Sequence, residues 1–239
     1  MTRVESEVFT FNQDHHPGNA SGQPDGPIGR TQLLTERATL SFLLTSIYHR
    51  LFNRLLRIQH SLADGYFFTD SQEEPITEEM IQQIDAALKA IFDSDKEIKL
   101  GYSRRSDLIA TFVKEGLKDK VSLLKTWSDE LIPVISCGEY IDIVLEPMST
   151  DKKRLCICAL QSYNKGVILR FPKILTPTSI NEWSDPDVFY EMFREYREWA
   201  QLIGCDTVGK LNEMIYHRKI DDIKWVAEGL HSAKLAKIG

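Results

Sequence analysis

Cysteine is scarce in this chain. Four in 239 residues, Cys137, Cys156, Cys158 and Cys205, are too few and too scattered for a disulfide framework, so reduced thiols are expected. Long apolar runs are lacking as well. The most apolar stretch, residues 38–48, is interrupted by Thr39, Ser41, Thr45 and Ser46, whereas a membrane span needs roughly 20 apolar positions. Residues 1–10 contain Arg3, Glu5 and Glu7 and no apolar signal core, so the expectation is a soluble, cytoplasmic protein without membrane contact. The tripeptide Asn19-Ala20-Ser21 would matter as a glycan acceptor only on the secretory route.

Positive charge is not in excess either. With 29 Lys and Arg against 35 Asp and Glu, the formal net charge is -6. That excludes a general affinity for nucleic acid, which rewards clustered cations, and leaves room only for a local basic patch. The glycine patterns of phosphate loops, dinucleotide folds and nucleophile elbows are missing, so no cofactor or metal is expected and no catalytic motif is found.

What is present is enough apolar material, 42% of residues, for a full core. The expected class is α+β and mainly helical, a helical body with a small three-stranded antiparallel sheet near residues 139–171. Residues 1–30, rich in Gly and Pro, read as a flexible arm in which Val8, Phe9 and Phe11 can dock as a short strand. Residues 31–136 read as a helical region. Residues 137–239 read as the sheet plus C-terminal helices, continuous with 31–136 in one domain.

Within 31–63, Leu33, Leu40, Leu44, Ile47, Leu51, Leu55, Ile58 and Leu62 recur at steps of three, four or seven. This spacing predicts a single helix of about 50 Å ending at Asp64-Gly65. Thr77 predicts an N-cap, with Glu78 and Glu79 in the first turn and Ile81, Ile84, Leu88 and Ile91 on the buried stripe. The first helix carries Arg37, Arg50, Arg54 and Arg57 against Glu36, while residues 70–95 hold eight acids against Lys89. A helical hairpin with complementary flanks follows from that pattern.

Further helices are expected after Ser103 or Ser106, closed by Gly116, and over 118–132, stopped by Pro133. The period then changes. Ile141, Ile143 and Leu145, then Leu155, Ile157 and Ala159, then Val167, Leu169 and Phe171 alternate as in strands, and short turns make a meander the natural topology. Pro172 opens a loop that runs to Asn181. Asp185-Pro186 opens a helix to Ile203 expected to bury Phe189, Met192, Phe193, Tyr196, Trp199 and Ala200 and to stop at Gly204. Two more helices, 206–217 and 221–236, complete the chain.

Arg50, Arg54 and Arg57, at i, i+4 and i+7 on the first helix, are the candidate partner-binding residues: three guanidinium groups on one stripe suit an acidic peptide, a phosphate or a nucleic-acid backbone. The bland alternative is that they pair with the acids of 70–95. Asp142, Glu146, Gln161 and Lys165 loosely match the order of metal-dependent nucleases, but no acid lies on the second strand and Lys165 falls in a turn, so a solvated sheet face is the better reading. Cys156 and Cys158 lack a second zinc-ligand pair. His49 and His60, three turns apart on the expected helix, lack further ligands, and His15-His16 lies in the arm. The C-terminal helices balance Lys and Arg with acids, a poor fit to a DNA-recognition helix.

The expected function is therefore a non-enzymatic protein-interaction or regulatory subunit that uses the long first helix and the arm, with self-association through that helix. The alternatives are an enzyme whose site is assembled at the small sheet from Asp142, Glu146 and Lys165, and a nucleic-acid binder using the arginine stripe.

Overall fold

A computed structural model describes residues 9–10, 29–94, 97–155, 157–173, 176, 178–184 and 187–238. The flexible-arm expectation and the Asp185-Pro186 helix start lie outside the described residues, except that Phe9–Thr10 forms strand β1. The α+β, mainly helical class is as expected. The chain divides into two compact units, one comprising Glu7–Tyr102 and Pro133–Tyr190, the other built on Ser103–Ile132 and Glu191–Gly239.

The first unit is organised around α1 (Arg30–Phe52). Apolar residues surround this helix instead of striping it, and a helix that is apolar all round belongs inside a core. Every residue from Ala38 to Leu44 is buried, as are Leu33, Ile47 and Tyr48. The hydroxyls that interrupt the run satisfy themselves: Thr39 donates to Thr35 O, Ser41 to Arg37 O and Thr45 to Ser41 O. Such i to i-4 bonds let small polar side chains sit in a core without an unmet donor. Thr39 Oγ1 also accepts from Ser149 N at 2.8 Å, tying the chain at Ser149 to the helix.

The single long helix expected over 31–63 is corrected here. α1 stops at Phe52, where Asn53 adopts the left-handed conformation (φ 51°) and its N–H closes on His49 O. The chain then enters β2 (Leu56–Leu62) and β3 (Gly65–Asp70). The spacing of Leu55, Ile58 and Leu62 matches a helical period without forming one: in β2 the buried residues are Leu56 and Leu62, Ile58 is 53% exposed, and a bulge falls between Ile58 and His60. α2 (Glu78–Asp93) matches expectation: Thr77 Oγ1 accepts from Met80 N, and Ile81, Ile84, Leu88 and Ile91 are buried.

Two four-stranded sheets stand where a single three-stranded meander was expected. One has the order β1-β4-β5-β6, where β4 is Ile98–Arg104, β5 Leu131–Cys137 and β6 Tyr140–Ile143; the other is β2-β3-β8-β7, where β7 is Ala159–Tyr163 and β8 Gly166–Arg170. The expected hairpin of β7 and β8 is present. β6, however, pairs with β5 through a turn at Gly138 (φ 64°) and so lies in the other sheet. Between β6 and β7 the chain forms the short α5 (Lys152–Leu155). Gly65 and Gly166 sit where β3 and β8 cross closely: a Cβ would lie 2.4 Å from Leu169 O at the first and 2.1 Å from Phe68 O at the second. No other residue fits there.

The second unit contains α3 (Arg105–Lys114), α4 (Lys118–Lys125), most of α6 (Asp187–Leu202), α7 (Val208–Tyr216) and α8 (Ile220–Ile238). Leu108, Phe112, Leu117, Val121, Leu124 and Ile132 are its buried apolar residues. Gly209 brings α7 against α4, its missing Cβ leaving room for Asp119 O at 2.8 Å. The helix expected over 118–132 is shorter than predicted. α4 ends at Lys125, and Pro133, read as a helix stop, lies in β5 at the end of its ladder with β6, where its carbonyl accepts from Val144 N at 2.9 Å. At that position the missing N–H costs only the reciprocal bond of the terminal pair.

Candidate functional site

The arginine stripe does not exist as a helical feature, because α1 ends before Arg54. Arg50 is exposed in the last turn of α1, and Arg57 is exposed on β2 opposite Thr69. Arg54 lies between the two elements, and its Nε is 2.9 Å from Asp70 Oδ2. The Asp70 carboxylate is fully buried. It also accepts from Tyr48 OH at 2.7 Å and, through its other oxygen, from Gln72 N at 2.7 Å. A buried carboxylate needs this many donors to offset its desolvation. The same burial, reinforced by the hydrogen bond and charge of Asp70, pushes the Tyr48 phenol well above its ordinary range. Arg54 is thus spent on the fold, as the internal-pairing alternative held.

A second buried pair does similar work. Arg170 Nε donates to Asp64 Oδ1 at 2.9 Å and its terminal nitrogen to Oδ2 at 2.8 Å, a two-pronged pairing. That nitrogen also donates to Asn181 O at 2.6 Å, and the guanidinium lies 5.2 Å from the Trp183 ring centre. Together these clamp the β2–β3 turn to β8 and the loop at 181–183. The Asp64 hydrogen bond raises the guanidinium further above its usual range, so Arg170 stays charged.

The residues weighed for a sheet-based enzyme site are divided between the two sheets. Asp142 lies on β6 and turns its Oδ1 back to Ile143 N at 2.7 Å; Glu146 is exposed beyond that strand; Lys165 is exposed in the β7–β8 turn. Among the described residues no group of three or more His, Cys, Asp or Glu is arranged to hold a metal ion. Cys156 and His15-His16 lie outside the described residues. His49 and His60, expected on one helix, occupy α1 and β2, against the rings of Tyr140 at 5.5 Å and Phe67 at 5.6 Å. Cys205 is half-buried, and burial followed by the charge of Asp206 raises its thiol, the opposite of what a nucleophile needs.

The feature that stands out is an apolar surface left uncovered. The helix expected to bury Phe189, Met192 and Tyr196 is present as α6, but Phe189 is 60%, Met192 40% and Tyr196 54% exposed. Met192, Tyr196, Trp199 and Ile203 follow one another at steps of four, three and four, with Phe193 and Ala200 beside them. That spacing lays a continuous apolar stripe along one side of α6. The polar side closes its charges internally: Arg194 reaches Glu191 at 2.5 Å and Glu198 at 3.9 Å. Val208, Ile215 and Tyr216 on α7 and Trp225 and Leu235 on α8 are exposed as well. Sequence periodicity located the stripe; what it missed is that Phe193, Trp199, Ala200 and Ile203 are only half-buried and that Met192 and Tyr196 are exposed, because burial depends on what packs opposite.

No protein-family model matches this chain. Part of it is similar to the threonine–tRNA ligase of Maricaulis maris (strain MCS10), with 30% identity over 88 residues. That segment is 36% of this chain and 14% of the ligase. Among the described residues no helix is long and apolar enough to cross a membrane.

Proposed function

We propose that this protein is a non-enzymatic recognition module, an accessory or regulatory subunit of the cytoplasm, that docks on a protein partner through the apolar side of α6. The observation that carries this reading is the exposure of Met192 and Tyr196 on a strongly one-sided helix. Aromatic residues and Met are enriched at the centres of protein interfaces. An amphipathic helix with anchors at i, i+4 and i+7 is the form in which one protein enters another's hydrophobic groove. Because Arg194 is paired within α6, the partner need supply no compensating charge, only apolar walls. α1, expected to dock on a partner, is instead buried in the core.

The test is a photoreactive phenylalanine analogue placed at Met192 in the native host. One protein should be trapped, and its purified form should bind the unmodified chain at least tenfold more tightly than a Met192→Ser/Tyr196→Ser variant. Equal affinity for the two forms would end this reading; a trapped second copy of the chain would make the partner itself.

The partial likeness to a tRNA ligase favours a second reading, a module that contacts RNA, for which Arg50 and Arg57 are the exposed cations. Binding that falls steeply with salt and weakens in Arg50→Gln/Arg57→Gln would support it. Undiminished binding by that variant would remove those two residues from the account.

A further inference from the structure

The loop after α4 bounds a small open cavity of about 290 Å3, lined by Leu123, Thr126, Trp127, Ser128 and Asn212. All five belong to the unit built on Ser103–Ile132 and Glu191–Gly239. The loop is braced from α3: the Arg105 guanidinium donates to Trp127 O, and Arg105 N donates to Glu130 O at 2.8 Å. The close approach at Gly209 sets α7 against α4, and Asn212, three residues on and hence on the same side of α7, is delivered to the end of α4.

The polar groups of this cavity are sorted by the bonds they already make. Trp127 Nε1 donates to Asp129 Oδ2 at 3.2 Å, so the indole's only donor is used within its own loop and its ring is what remains for a ligand. Thr126 Oγ1 donates to Leu123 O at 3.0 Å and accepts from Asn212 Nδ2 at 3.4 Å. With its amino group so engaged, Asn212 offers its carbonyl oxygen. No charged side chain lines the cavity. A flat uncharged ring with a hydrogen-bond donor on its edge fits these walls, and the volume lies at the small end of ligand sites.

We propose that this cavity binds a nucleobase bearing an exocyclic amino group, its ring against Trp127 and its amino group donating to Asn212 Oδ1. Aromatic stacking with one edge contact is how proteins hold single unstacked bases. The base can come from a free nucleotide or from single-stranded RNA, and the test separates the two. This inference does not depend on α6 docking, and Tyr196→Ser leaves it unchanged.

The experiment is titration of the full chain with AMP, CMP, GMP, UMP and ribose 5-phosphate, following tryptophan emission. Four tryptophans are present, so the signal assigned to the site is the part that disappears in Trp127→Phe. AMP, CMP and GMP should quench it saturably, UMP about fivefold more weakly, and ribose 5-phosphate not at all; Asn212→Leu should weaken CMP by about five- to tenfold, the scale of one lost hydrogen bond. A short oligocytidylate that binds at least tenfold more tightly than CMP identifies RNA as the source; equal affinity identifies the free nucleotide. UMP binding as well as CMP, or quenching that is undiminished in Trp127→Phe, overturns the proposal. So does unchanged CMP affinity in Asn212→Leu, with circular dichroism confirming that each variant is folded. Absence of saturable quenching together with unshifted Asn side-chain amide resonances on adding CMP overturns it as well.

Discussion

α1 and α6 hold comparable apolar material and are buried to opposite extents. In α1 apolar residues point in every direction, and from Ala38 to Leu44 no position reaches solvent. In α6 they share one side, the arrangement that normally rests on a core, yet Met192 and Tyr196 stand open. One-sidedness reports that a helix is prepared to be covered on that side; it does not report that its own chain supplies the cover. In this protein the helix with the weaker periodicity is the one that builds the fold, and the helix with the strong periodicity is the one with surface to offer.

That contrast can be broken by substitution, the largest effects first. Leu44→Ala removes a fully buried side chain and should cost about 2 to 5 kcal/mol, read from denaturant unfolding midpoints. Arg54→Met strips the partner from a buried Asp70; discounted for the partial exposure of Arg54, the loss should be about 2 kcal/mol. Gly209→Ala drives a methyl into the α4 backbone at 2.8 Å and should cost about 1 to 3 kcal/mol, seen as faster amide exchange in α4 and α7.

A pH effect comes next in size. The Tyr48 phenol is raised above its unfolded value of about 10, so its contribution is fully present below that pH and declines as pH rises beyond it. Stability measured from neutral pH upward should therefore hold until about pH 10 and then fall, with Tyr48→Phe falling less steeply. A Tyr48→Phe variant that tracks the parent chain throughout would show that the buried Tyr48–Asp70 contact carries no such linkage.

Much of this architecture could be read from residue order, and the failures share a cause. The start and the buried stripe of α2 were legible because Thr77, Glu78 and the Ile81 to Ile91 spacing are local signals. The end of α1 was not, because Leu55, Ile58 and Leu62 kept a helical spacing while the segment's structure comes from pairing with β3, and strand pairing is non-local. β5 was hidden for a related reason: Pro133 is a strong helix stop in isolation, and only its place at the end of the ladder with β6 makes it tolerable in a strand. Of the arginine trio, the charges were legible and their grouping was not, since it required one helix to run through Asn53. The α6 stripe was legible as a pattern and misread as core.

Docking through α6 requires that Met192 and Tyr196, exposed among the described residues, be open to a partner. Thermal unfolding of Met192→Ser/Tyr196→Ser beside the parent chain tests this most directly. Exposed positions should change stability by no more than about 0.5 kcal/mol, leaving the midpoint within about 2 °C, while binding of a hydrophobic fluorescent dye drops. A fall in the midpoint of about 8 °C or more would mean that the stripe is packed within the molecule, and docking through α6 would be contradicted.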